Sequence, residues 1–127
     1  MTNQFDHHKY INIETYRQNG QGVKTPVWFV QKNEGLYVWT EESSYKVKRI
    51  LKNRKGMVVP SKYNGEPIGE WVEMYATVDG SLEAQKKVSN SMLKKYGLAM
   101  RVFRFMGKLR KASYTTLLIK LNDSITE

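Results

Sequence analysis

The sequence predicts a mainly β fold of the α+β kind, an antiparallel sheet or small barrel with helices added. Three observations carry this. Six segments combine β-branched and aromatic residues in alternating or short apolar runs, bounded by Gly, Asn, Asp and Pro. Three others switch to the i, i+3, i+4 or i, i+4 spacing of an amphipathic helix. The 127 residues, 40% hydrophobic and 26% charged, suffice for one core without staples, so a single domain spanning 1–127 is expected.

Tyr10–Arg17 alternates Ile11, Ile13 and Thr15 with Asn12, Glu14 and Tyr16, the period of a strand. Asn19-Gly20 is a turn signal. Thr25–Gln31 is the second strand, with Pro26 confined to a strand start or a sheet edge because it has no N–H to donate. Asn33-Glu34-Gly35 turns the chain into a third strand, Leu36–Thr40, completing a meander. Val47, Ile50 and Leu51 then mark a short helix, capped by Ser43 or Ser44. Met57–Pro60 and Glu70–Val78 are strands on either side of a loop at Tyr63–Gly69. Ser81 opens a second helix whose Ala84, Val88, Met92 and Tyr96 share a face, and Gly97 stops it. Leu98, Val102, Phe105 and Leu109 form the apolar stripe of a third helix, with Phe105 most simply in the core and Gly107 weakening the far end. Tyr114–Leu121 is the last strand, and Asn122–Glu127 is expected to fray.

Charge and composition narrow the chemistry. The net charge is +9, and nine basic residues with no acid lie between Ala84 and Lys111; the remainder holds 12 basic against 12 acidic residues. Tyr45–Lys55 is a second acid-free block, so an anionic ligand is favoured. With no Cys there is no disulfide, thiolate chemistry or Cys-bound metal, which fits a reducing, cytoplasmic setting. No apolar run is long enough to span a bilayer, and Met1–Tyr10 has no apolar core of a secretory signal. His7 and His8 are adjacent and point apart on an extended chain, so a His-centred site is not expected. Gly20-Gln21-Gly22 precedes a strand rather than a helix and therefore cannot seat a pyrophosphate on a helix N-terminus.

Lys46 is the most informative residue. It falls in the first turn of the short helix, where the macrodipole disfavours a cation by about 0.3–1 kcal/mol. Lys48 and Arg49 add to the conflict, and only Glu41 and Glu42 upstream offset it. Free backbone N–H groups, a Ser hydroxyl and a lysine at one helix start make a phosphate cradle; the alternative is a solvated lysine pointing away. Thr25-Pro26-Val27-Trp28 is a second candidate, an edge that can face a flat ring or simply pack Val27 and Phe29 into the core. Thr40 ends the third strand beside the helix start, where its hydroxyl reaches the same anion or serves only the turn. The basic face at Arg101–Lys111 meets nucleic acid, an anionic membrane or an acidic partner, or is merely solvated.

Taken together, TPVWFV, LYVWT and SSYKVKRILKN resemble the pyridoxamine-phosphate-oxidase-like split-barrel family. KKYGLAMRVFRFMGKLRK followed by an apolar strand resembles its deazaflavin-dependent oxidoreductase branch. The resemblance covers roughly Tyr10 to Leu121. It implies a six-stranded antiparallel split β-barrel with added short helices, forming a homodimer with FMN or coenzyme F420 at its interface. Carried over by position, the phosphate contacts fall on Ser44, Lys46, Lys48 and Arg49. Thr25, Pro26 and Val27 lie along the ring, with Thr40 between. Tyr45 departs from the small or basic residue common in relatives, which implies a remodelled phosphate pocket.

The function implied is a flavin- or deazaflavin-dependent oxidoreductase passing hydride between its cofactor and a small organic substrate, with no essential protein acid or base. A glutamate-tailed deazaflavin suits a broadly basic surface better than FMN does. A non-catalytic module that stores or senses FMN, F420 or haem is the alternative. Neither nucleic acid nor membrane is expected as a partner, although a nucleic-acid binder resting on the Ala84–Lys111 charge and on Tyr96, Phe103 and Phe105 is the third reading.

Overall fold

The computed structural model describes residues 4–32 and 35–122. The sequence-based turn at Asn33-Glu34, the start of the Met1–Tyr10 segment and the tail beyond Asn122 lie outside the described residues. The chain order is β1 (Tyr10–Tyr16), β2 (Gly22–Trp28), β3 (Val30–Lys32), β4 (Gly35–Glu41), α1 (Tyr45–Lys52), β5 (Lys55–Ser61), β6 (Val72–Asp79), α2 (Leu82–Tyr96), α3 (Leu98–Leu109) and β7 (Tyr114–Leu121). All strands join one antiparallel sheet in the order β2-β1-β5-β6-β7-β4-β3. Its two outermost strands, β2 and β3, are consecutive in the chain, so the sheet curls back on itself at Phe29.

This corner corrects the expectation of six strands and of a continuous meander. The segment read as one strand, Thr25–Gln31, is divided into β2 and β3 at Phe29, which gives seven strands. The cause is local. The Phe29 side chain is fully buried and meets Phe5 edge-on at 6.4 Å. Its backbone leaves the ladder and is taken up by the Tyr96 hydroxyl, which accepts from Phe29 N–H at 3.0 Å. The single hydroxyl proton is within reach of Phe29 O at 2.8 Å and Lys9 O at 2.7 Å. Lys95 Nζ donates to Phe29 O at 2.8 Å. β2 touches β4 at this seam without a ladder between them, and Pro26 sits on an edge strand, as its missing N–H requires.

The core is built by alternation. Ile11 and Ile13 of β1, Leu36 and Val38 of β4, Val58 of β5, Met74 and Ala76 of β6 and Leu117 and Ile119 of β7 point inward, and α1 closes them with Val47 and Ile50. A second, smaller cluster lies outside the sheet, where Val88, Met92 and Met100 of α2 and α3 pack against Val30, Trp28, Tyr37 and Trp39. Ser81 caps α2 by accepting from Ala84 N–H at 3.2 Å. Gly97, at φ +59°, ends α2 and starts α3, a backbone conformation L side chains rarely adopt.

The stripe predicted for α3 is reversed. Leu98, Val102, Phe105 and Leu109 are exposed, and Phe105 is not in the core. The buried side of α3 consists of Met100 and Gly107, with Phe103 half-buried. Gly107 has a packing role, because a Cβ there meets the Tyr114 hydroxyl and ring. Among the described residues no helix is long and apolar enough to cross a membrane.

Candidate cofactor site

Where β4 hands over to α1, Ser44 occupies the N-cap in an extended conformation, at φ −67° and ψ 154°, yet its side chain makes no capping hydrogen bond. Its Oγ is buried and has no partner among the described residues. No acid lies in the first turn of α1, whose first N–H groups have no intrahelical acceptor. Lys46 is half-buried there and forms no ion pair among the described residues. Glu41 is close enough to act on it but is held by Arg110 at 3.3 Å. Burial pushes the Lys46 ammonium below its ordinary value, Glu41 partly opposes this, and Arg49 adds to it. A buried hydroxyl and a half-buried cation, both unpartnered at a helix start, are what an incoming phosphate would satisfy, so the residues present fit such a group.

This corner opens onto a cavity of about 240 Å³ lined by Val27, Trp28, Val38, Trp39, Thr40, Lys46, Met92, Met100 and Phe103. Its position follows from the seam: β2 and β4 flank it, and α2 and α3 cover it. The walls are aromatic. Trp28 stacks on Tyr96 at 4.4 Å and lies 5.8 Å from Phe103. Trp39 meets Phe103 edge-on at 5.9 Å and stacks on Tyr114 at 4.0 Å. Trp39 Nε1 is a second buried donor without a partner among the described residues. The aromatic walls suit a flat ring, and Thr40 and Lys46 add a hydroxyl and an ammonium side chain to the lining. Its volume is below the roughly 300–1,000 Å³ of pockets that engulf a whole cofactor-sized ligand.

The structure thus brings together Val27, Thr40 and Lys46, with Ser44 at the same helix start. Thr25 is half-buried on the inward side of β2 opposite Ile13, two residues short of the cavity wall. Pro26 is exposed, opposite Asn12 and beside Gly65. Lys48 and Arg49 do not join Lys46. They line a separate cavity of about 650 Å³ with Tyr16, Arg17, Gln18, Tyr45, Lys52 and Asn53. There Arg49 Nε donates to Thr15 Oγ1 at 2.6 Å, and Lys48 Nζ lies 5.3 Å from the Tyr45 ring. The reason is helical geometry: residues 45, 48, 49 and 52 follow the i, i+3, i+4, i+7 spacing of one face, and Lys46 projects to another side. Burial, and then the neighbouring Arg17 charge, lower the Arg49 guanidinium.

Sequence reasoning missed Trp39, Met92 and Met100 as walls, and placed Phe103 only as a stacking aromatic. A signal was present for Trp39: alternation in LYVWT puts Tyr37 and Trp39 opposite Val38 and Thr40, and two large aromatics on a nominally outer face imply a covering layer. Among the described residues no cluster of His, Asp and Glu could hold a metal ion.

No protein-family model and no curated protein matches the chain. Solved structures do. The haem storage protein HutZ from Vibrio cholerae aligns at TM-score 0.70 and 14% identity over 91% of this chain and 83% of that one. A protein described as a candidate pyridoxamine 5'-phosphate oxidase from Listeria innocua aligns at TM-score 0.66 and 10% identity over 93% and 87%. General Stress Protein 26 from Bacillus anthracis aligns at TM-score 0.63 and 19% identity over 94% and 84%. At such identities the likeness concerns the fold alone: this chain folds as a split barrel, as these structures do.

Proposed function

We propose that the protein binds FMN or the deazaflavin coenzyme F420 in the seam of its barrel and acts as an oxidoreductase on a small organic substrate. The observation that carries this reading is the pair of unpartnered groups at the start of α1, the buried Ser44 Oγ and the half-buried Lys46, of which Lys46 lines an aromatic slot. Lys46 and Ser44 hold the phosphate and Thr40 stands between phosphate and ring, while Val27, Trp28, Trp39 and Phe103 enclose the ring and exclude water. When bound, the ring supplies hydride transfer. The chain itself binds and orients, which agrees with a cavity whose one ionisable side chain is Lys46.

The slot is smaller than a whole cofactor, which supports a homodimer whose second copy completes the walls. The basic cavity on the other face of α1, with Arg17, Lys48, Arg49 and Lys52 and no acid, supports F420, whose glutamate tail needs cations that FMN does not. A reducing, cytoplasmic setting is part of the same reading. Absorption and fluorescence titrations with each cofactor test it. Binding at micromolar concentration is expected, with Lys46→Ala weakening it by about 1–3 kcal/mol, the worth of a lost charged hydrogen bond. No binding of either cofactor at tens of micromolar refutes it.

The likeness to a haem storage protein favours one other reading, a non-catalytic cofactor carrier. A tightly bound cofactor that no reductant reduces and no acceptor reoxidises would decide for it. His7 and His8 are the chain's two imidazoles, and neither lines the seam cavity.

A further inference from the structure

The strongest unexplained feature of the surface is α3. Leu98, Val102, Phe105, Met106 and Leu109 are 75%, 54%, 60%, 51% and 65% exposed, although the opposite side of the same helix buries Met100 and Gly107. Their spacing places all five on one continuous outward face. Arg101, Arg104 and Lys108 run along one flank, and Arg110 and Lys111 follow at the C-terminal end. Among the described residues Arg101, Arg104 and Lys108 form no ion pair, and no acid occurs anywhere from Ala84 to Lys111.

Charge decides what covers this face. Pairing α3 with its counterpart in a second copy would gather two sets of Arg101, Arg104 and Lys108 around a seam without a carboxylate, and like charges so placed oppose association. Nucleic acid would satisfy the cations but leave five large apolar side chains against a phosphate backbone. An anionic lipid surface satisfies both: apolar side chains enter the headgroup–acyl boundary, while arginine and lysine stems lie along it and place their charges among the phosphates. We propose that α3 docks the protein in the plane of an anionic membrane, with Val102, Phe105 and Leu109 inserted and Arg101, Arg104 and Lys108 on the headgroups. This departs from the sequence-based expectation of no membrane partner, which rests on the lack of a bilayer-spanning apolar run and does not bear on a helix lying in the membrane plane. The proposal is independent of the cofactor reading, since it concerns the opposite side of α3 from Met100 and Phe103.

The test is co-sedimentation of the full chain with phosphatidylcholine vesicles and with vesicles containing about one-third phosphatidylglycerol, at low and high salt. Binding to the anionic vesicles only, weakened by salt, is expected. Phe105→Glu/Leu109→Glu should lower it by more than about tenfold with an unchanged circular dichroism spectrum. If that variant does not fold, Phe105→Ser should still weaken binding. Arg101→Glu/Arg104→Glu should also weaken it. Wild-type protein left in the supernatant at low salt overturns the proposal. Binding indifferent to Phe105 and Leu109 does so too, as does a dimer that Phe105→Glu/Leu109→Glu converts to monomer without any vesicle binding.

Discussion

Replacing Tyr96 by Phe removes one oxygen atom from the corner where the barrel closes. Its hydroxyl accepts from Phe29 N–H at 3.0 Å and lies 2.8 Å and 2.7 Å from the Phe29 and Lys9 carbonyls. The carbonyl of Phe29 keeps Lys95 Nζ at 2.8 Å, and the Lys9 bond is exposed, so water can replace the hydroxyl there. Phe29 N–H has no such substitute, because Phe29 is 0% exposed. Leaving one buried donor unpaired costs about 1–3 kcal/mol. The stacking of the ring on Trp28, at 4.4 Å and 9°, survives the change. For a chain of this size each kcal/mol lowers Tm by about 3–5 °C. Urea unfolding followed by tryptophan fluorescence reads the difference, with m expected to stay constant. Tyr114→Phe is the control: the Tyr114 hydroxyl is buried without a partner among the described residues, so its removal should change stability by less than about 0.5 kcal/mol or raise it. Equal effects at the two positions would refute the account of the seam.

Other consequences can be checked in the same way. Gly107→Ala should destabilise by about 1–3 kcal/mol, because the new methyl meets the Tyr114 ring, with its Cζ 2.8 Å away, and pushes it off Trp39; a Gly in a solvated helix would instead gain up to about 1 kcal/mol from the same change, so the sign of the measured value decides. Ser44→Ala should leave the stability of the cofactor-free protein within about 0.5 kcal/mol, since no capping bond is lost, while weakening cofactor binding by roughly 1 kcal/mol in the titration. Burial holds the Lys95 ammonium down to about 8 from the ordinary 10.5. Between those values the unfolded chain binds more protons than the folded one, so this group makes stability rise with pH above about 8 and fall as pH drops through it. Urea midpoints measured from pH 7 to 10 should show the rise, and Lys95→Met should flatten it.

Much of this molecule follows from local rules. Alternation in Tyr10–Tyr16, the Asn19-Gly20 turn, the Ser81 cap and the Gly97 stop are decided by residues within a few positions of one another, and a linear sequence displays such relations directly. The conflict of Lys46 with the helix dipole is local in the same sense, so the candidate corner at the start of α1 can be read from the sequence alone. What required the tertiary structure depends on distant partners. Phe29 breaks its strand because Tyr96, 67 residues away, supplies its hydrogen bonds. Helical spacing alone parts Lys48 and Arg49 from Lys46, but that Thr15 and Tyr16 of β1 and Arg17 after it meet them is decided by the fold. The direction of α3 is the clearest case. A period states that a helix has two faces, and only the neighbours reveal which is covered. Here Tyr114 and Trp39 lie under Met100, Phe103 and Gly107, and the richer apolar stripe is left to the outside.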